Sequence, residues 1–206
     1  MENIFANRLI AARKMAGMSL QNLADKLGNI VTKQSLNKYE QGKMKPDSKL
    51  IIQLASVLNV SVDYFFAKPS VEVTLINVDF RKYSSRLRKS EESSVIEKSR
   101  EILERYLELE DIVNLQEVPD YFEYQGIISS DEDAENAAKE VRKKWNLGYD
   151  PIPDVVEMLE DKGYKVIEVE TSQGFDGMKA ETSGRKVIVL RKESNGDVVR
   201  KRLTAL

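Results

Sequence analysis

The sequence predicts two unlike folding units: a mainly α, five-helix N-terminal domain over residues 1–68, and a helical connector leading into an α+β domain over 95–206. Three observations carry that division. Residues 1–66 repeat short apolar stripes at helical spacing, each closed by glycine or a turn. From Tyr164 onward the pattern becomes that of strands, in "YKVIEVE" and "GMKAETSGRKVIVLRK". The charge also divides: residues 1–69 carry ten Lys/Arg against five acids, and the rest carries 22 against 29. A basic unit beside an acidic remainder points to the first part alone as the one that approaches nucleic acid.

Within the basic unit, Phe5, Leu9 and Ala12 form a stripe that Gly17 ends. Ser19 is placed as the N-cap of a second helix bearing Leu20, Leu23, Ala24 and Leu27, with Gly28 as a left-handed stop. Thr32 caps a third, "KQSLNKYE", which buries Leu36 and Tyr39 and stops at Gly42. Pro46-Asp47-Ser48 opens a fourth, with Leu50, Ile51, Leu54, Ala55 and Leu58 on its apolar face. Ser61 caps a last turn carrying Tyr64 and Phe65.

Residues 69–94 read as a linker, with a short strand predicted by the alternation of Val71, Val73 and Leu75. Arg81 and Lys82 within it read as a solvated charge pair in preference to phosphate contacts. "SSVIEKSREILERYLELEDIVN" is a long helix on which Ile102, Tyr106, Leu109 and Val113 follow 4-3-4 spacing. That seam suits a dimer, although packing against the chain's own C-terminal domain is the stronger expectation. Ser130 and Asp133 form a capping box for a helix lined by Ala137, Ala138, Val141 and Trp145 and ended by Gly148. Pro153 opens the next, which Gly163 stops. A strand, a hairpin turning at Ser183-Gly184 with Val187, Ile188 and Val189 as its core, a turn at Asn195-Gly196 and a last helix complete the order.

Composition excludes several chemistries. There is no cysteine, so neither disulfides nor thiolate metal sites form. There is no histidine either, which removes imidazole acid–base catalysis and leaves carboxylates as the only common zinc ligands. Glu157, Glu160 and Asp161 lie close on one helix and read as a solvated face. No stretch approaches the roughly 20 apolar residues of a membrane span, and "MENIFANRLI" has no secretory core. A cytoplasmic protein without membrane attachment is expected.

The third helix is what points to a function. Lys33, Gln34, Asn37 and Lys38 fall away from Leu36 and Tyr39, toward solvent. Gln and Asn can bond adenine N6 and N7 together, while Lys donates to guanine or phosphate. "RLIAARKMAGMSLQNLADKLG", "VTKQSLNKYEQGKMKPD" and "LIIQLASVLNVSVDYFF", about residues 7–66, resemble the lambda-repressor-like, XRE-type helix-turn-helix domain. Ala24 matches its small residue between the paired helices, and "KYEQG" its aromatic-Glu-x-Gly ending. Leu20 departs from a frequent phosphate-contacting Gln, and Asn29-Ile30 lengthens the turn by two residues. The resemblance implies that Lys33, Gln34, Asn37 and Lys38 face bases, Ser35 a base or a phosphate, and Lys43 and Lys45 backbone phosphates.

The C-terminal order, with "GRKVIVL" and "RKRLTAL", resembles the ImmA/IrrE-type domain over roughly residues 70–206. In that family the last helix runs into H-E-x-x-H, which binds zinc. The chain stops where that motif would begin, so the resemblance implies a truncated member: a partial zincin-like scaffold without a metal site, with zinc expected only if that segment were present. Leu203 and Leu206 would then sit at a frayed edge or under another chain.

The expected function is a sequence-specific transcriptional regulator, a repressor, that binds double-stranded DNA and uses its C-terminal part for sensing or association, with homodimer formation left open. It is not expected to be an enzyme and carries no cofactor as it stands. Two alternatives stay open: a zinc endopeptidase that in longer form cleaves a partner repressor, and an antitoxin-like module with a partner protein.

Overall fold

The computed structural model describes residues 3–82, 87–115, 118–172, 174–192 and 198–205. Its N-terminal unit holds α1 (Ile4–Met15), α2 (Leu20–Lys26), α3 (Lys33–Glu40) and α4 (Ser48–Leu58), followed by a single 3-10 turn at Asp63–Phe65. The fifth helix is therefore one tight turn, entered through the Ser61 hydroxyl, which accepts from the Tyr64 amide at 3.2 Å. Local capping decides the helix starts: Ser19, Thr32 and Asp47 accept from the amides of Asn22, Ser35 and Leu50. Leu9, Leu23, Leu36, Leu54 and Phe65 meet in one fully buried core.

The second unit is a four-stranded mixed sheet with helices on both faces. β1 (Ile76–Lys82), β2 (Lys165–Val169), β3 (Phe175–Thr182) and β4 (Arg185–Arg191) take the order β1-β3-β4-β2. β3 runs antiparallel to β1 and to β4, and β2 runs parallel to β4. Ser183 and Gly184 both adopt positive φ, 48° and 77°, as a two-residue hairpin loop requires. On one face α5 (Lys89–Ile112) packs Val95, Leu103 and Leu107 against Ile167, Phe175, Met178 and Val189. On the other, α7 (Val155–Asp161) and α8 (Val198–Ala205) pack Met158, Leu159 and Ala205 against Val166 and Leu190. α6 (Asp131–Lys144) starts at the expected Ser130–Asp133 capping box and buries only Ala137; Ala138 is exposed and Val141 and Trp145 are half-buried.

Several sequence expectations shift. The strand predicted around Val71, Val73 and Leu75 lies one segment later, at Ile76–Lys82. Val73 is buried, but against α5 and the sheet face, without strand pairing. α5 begins inside the supposed linker, where the Glu91 carboxylate accepts from the Arg88 amide at 2.8 Å. The predicted 4-3-4 seam is not the buried stripe: Leu109 and Val113 are 61% and 66% exposed, while Leu103 and Leu107 one face over are buried. Arg81 is no free charge, since its guanidinium donates to the Leu203 carbonyl at 2.5 Å and ties β1 to α8. Leu203 itself is exposed. The Asn195-Gly196 turn and Leu206 lie outside the described residues. Among those residues no helix is long and apolar enough to cross a membrane.

Candidate nucleic-acid interface

α2 and α3 meet across Ala24, which is buried and small enough for close approach. The turn joining them absorbs its two extra residues in the backbone. Gly28 and Asn29 take φ of 70° and 57°, Ile30 tips outward, and Val31 returns to the core. Asparagine is among the few non-glycine residues that tolerate this conformation. The amide of Asn29 still closes onto the Ala24 carbonyl at 3.0 Å, so α2 ends cleanly.

The orientation of α3 is fixed at both ends. At its start, Thr32 Oγ1 accepts from the Ser35 amide at 3.1 Å and lies 3.1 Å from the Ser35 hydroxyl. At its end, Arg13 Nε donates to Glu40 Oε1 at 2.6 Å and Nη2 to Oε2 at 2.8 Å, while Nη1 donates to the Met18 carbonyl at 2.8 Å. This bidentate pair, mostly buried, binds α1, the α1–α2 connection and α3 together. Gly42 then turns with φ +68°, and a Cβ there would stand 2.5 Å from Asn3 Nδ2, on the residue that caps α1.

Leu36 and Tyr39 anchor the helix inward, and Lys33, Gln34, Asn37 and Lys38 are all exposed. Ser35 is half-buried, its hydroxyl within bonding distance of the cap. Lys43 and Lys45, also exposed, follow directly. No ion pair engages Lys33, Lys38, Lys43 or Lys45 among the described residues.

Three other basic residues of the unit have internal partners that charge counting missed. Arg13 is held by Glu40. Arg8 donates to Glu101 Oε2 at 2.9 Å and Glu104 Oε2 at 3.2 Å of α5, and lies over the Tyr64 ring. Lys14 pairs with Glu97 at 3.1 Å, and the Ser94 hydroxyl donates to the Met15 carbonyl at 2.6 Å. The α1 face turned toward α5 is thus a seam between the two units, and the positive charge left exposed is concentrated at and just after α3. Only the acidic residues of α5, at Glu97, Glu101 and Glu104, hinted at this in the sequence.

A reading helix presented by a preceding helix at a fixed angle is the helix-turn-helix arrangement of DNA-binding proteins. Residues 9–65 match the sequence model of the helix-turn-helix family HTH_3, and this segment is an XRE-type helix-turn-helix domain. The chain is similar to the uncharacterized HTH-type transcriptional regulator YqaE of Bacillus subtilis (strain 168), 38% identical over 34% of this chain and 58% of that protein. It is 43% identical to the SPbeta prophage-derived uncharacterized HTH-type transcriptional regulator YonR of the same strain, over 30% of this chain and 55% of that one. The HTH-type transcriptional regulator ImmR, also of that strain, is 34% identical over 34% of this chain and 57% of its own length. The chain therefore spans less than two thirds of each of these relatives. A crystal structure of an HTH_3 family transcriptional regulator from Vibrio cholerae is 30% identical over 39% of this chain and 48% of that one, with a TM-score of 0.30.

Proposed function

We propose that the chain is a sequence-specific DNA-binding transcriptional regulator that acts as a repressor, with a C-terminal unit for sensing or association. The observation that carries this reading is the exposed amide-and-lysine face of α3, held by the Arg13–Glu40 pair and left uncovered by the second unit. With α3 in the major groove, the Gln34 and Asn37 amides bond base edges, and Lys33 and Lys38 add donors to guanine or phosphate. Ser35, already near the Thr32 cap, meets a base or a phosphate at the helix start. Lys43 and Lys45 clamp the backbone and set register without reading sequence. A homodimer fits two half-sites, and the exposed Leu109, Ile112 and Val113 on α5 offer an apolar stripe for pairing.

The test is a selection of bound fragments from sheared genomic DNA at low and moderate salt. An inverted repeat that stays enriched at moderate salt supports the reading, and its half-site spacing measures the dimer. Enrichment of no sequence, with binding that vanishes as salt rises, overturns it. Gln34→Ala is expected to cost about 1–3 kcal/mol at one base pair of the selected site.

A second reading rests on the element order α6, α7, β2, the β3–β4 hairpin and α8, which is the order that resembles an ImmA/IrrE-type zinc peptidase scaffold. Under it, a longer polypeptide carries the His–Glu–His zinc set beyond α8 and cleaves a partner repressor. The intact mass of the protein isolated from its source cells tests this. A mass equal to 206 residues removes it.

A further inference from the structure

We propose that the cleft between α1, α5 and residues 68–74 is a binding site for a small zwitterion, a free amino acid or a short peptide. A cavity of about 600 Å³ opens there, within the usual range for small-molecule sites, and it sits at the junction of two folding units, where such sites concentrate. Pro69, Val73 and Ala11 give it apolar lining.

Its charged lining is almost entirely matched internally. Arg8 serves Glu101, Glu104 and the Ala67 carbonyl; Lys14 and Arg100 both serve Glu97. Three lining groups keep unused capacity: Glu104, Lys68 and the exposed Glu72, which has no ion pair among the described residues. Glu104 is 9% exposed and receives one hydrogen bond, at Oε2; its Oε1 accepts none among the described residues. Burial, working against the pull of Arg8, raises its pKa above the ordinary carboxyl value. Lys68 is exposed at the same cavity and has no ion pair among the described residues. A simple anion meets the Glu72 and Glu104 carboxylates, and a simple cation meets the Lys68 ammonium. A ligand carrying both charges satisfies both, with its ammonium on Glu104 and its carboxylate on Lys68.

The test uses the full chain and needs no DNA. The twenty free L-amino acids and a set of dipeptides are added at millimolar concentration, and thermal unfolding and calorimetric titration are recorded. At least one is expected to raise Tm saturably. Glu104→Gln and Lys68→Ala are each expected to weaken that ligand about tenfold or more, as loss of a charge-assisted hydrogen bond implies, while Lys139→Ala on α6 leaves it unchanged. Lys68 is a surface residue, so its variant keeps the test valid if Glu104→Gln fails to fold. No saturable shift with any zwitterion, or equal affinity in the wild type and both variants, overturns the site. The site does not depend on the DNA reading: a chain that binds its zwitterion through Glu104 and Lys68 yet selects no DNA sequence leaves it standing and removes only the regulator assignment.

Discussion

Arg13 grips Glu40 with two parallel hydrogen bonds, 2.6 and 2.8 Å long, across a gap of 27 residues in sequence. The same guanidinium donates to the Met18 carbonyl, so one side chain fixes where α1 ends, how α2 begins and how α3 is tilted. Glu40→Gln is expected to cost about 1–3 kcal/mol in urea unfolding, since it removes the charge from a mostly buried pair. Arg13→Lys should not rescue stability, because an ammonium cannot span both carboxylate oxygens and the Met18 carbonyl together. Full stability in Arg13→Lys would show that charge alone holds α3.

Lys43→Ala should weaken binding to every DNA sequence by a similar factor and lower the slope of log affinity against log salt by about 0.9. Gln34→Ala should instead act at one base pair and leave the slope unchanged. Filter-binding isotherms over a salt series separate the two. A Lys43 variant that changes sequence preference would move this residue from backbone to base contact.

Tyr64 gives the domain an alkaline limit. Burial, then the Glu101 charge, pushes its phenol from 10.0 up to about 12, with Arg8 opposing. The folded chain keeps the neutral phenol while the unfolded chain ionises it near its ordinary value. This contribution to stability is thus intact below pH 10 and is lost between 10 and 12. Tyr64→Phe should flatten that part of the stability profile. At neutral pH it should change stability by no more than about 1 kcal/mol, because the hydroxyl makes no well-formed hydrogen bond among the described residues and Arg8 lies against the ring. Unchanged pH dependence in the variant would place the alkaline limit elsewhere.

Lys165 and Glu110 form a buried pair, 2.5 Å apart, where α5 crosses β2. Glu110→Ala strands a buried ammonium and should cost about 3–5 kcal/mol. The double variant Glu110→Leu with Lys165→Met should recover most of that, since both charges are then gone. Equal instability of the single and double variants in urea would assign the loss to packing.

What local chemistry decides was legible in the residues. Ser19, Thr32, Ser61 and Ser130 cap where capping side chains were expected, and the Ser183-Gly184 hairpin turns where its sequence places it. What depends on distant partners was not. β1 was placed too early because Asn77, at φ 51°, and a break in register between Ile76 and Asp79 disguise its alternation. The face of α5 was misread because its buried stripe includes Ser94, Glu97, Ser99 and Glu104, polar residues that bury against α1 and the sheet. Arg8 and Lys14 counted as basic surface until α5 supplied their carboxylates. The exposed positions of α3 followed from Leu36 and Tyr39 alone, whereas the clasp that aims the helix joins residues no local window contains.

The α1–α5 seam gives the molecule a lever. α5 has 24 residues and is therefore about 36 Å long, and its middle is bonded to α1 through Ser94, Glu97, Glu101 and Glu104. α1 in turn carries Arg13, which grips α3. The end of α5 at Ile112 lies about 20 Å beyond the middle of that seam, so a tilt of about 10° there swings it by about 3 Å. The C-terminal unit and α3 are thus both fastened to one helix, α1, through side chains on α5 and through Arg13.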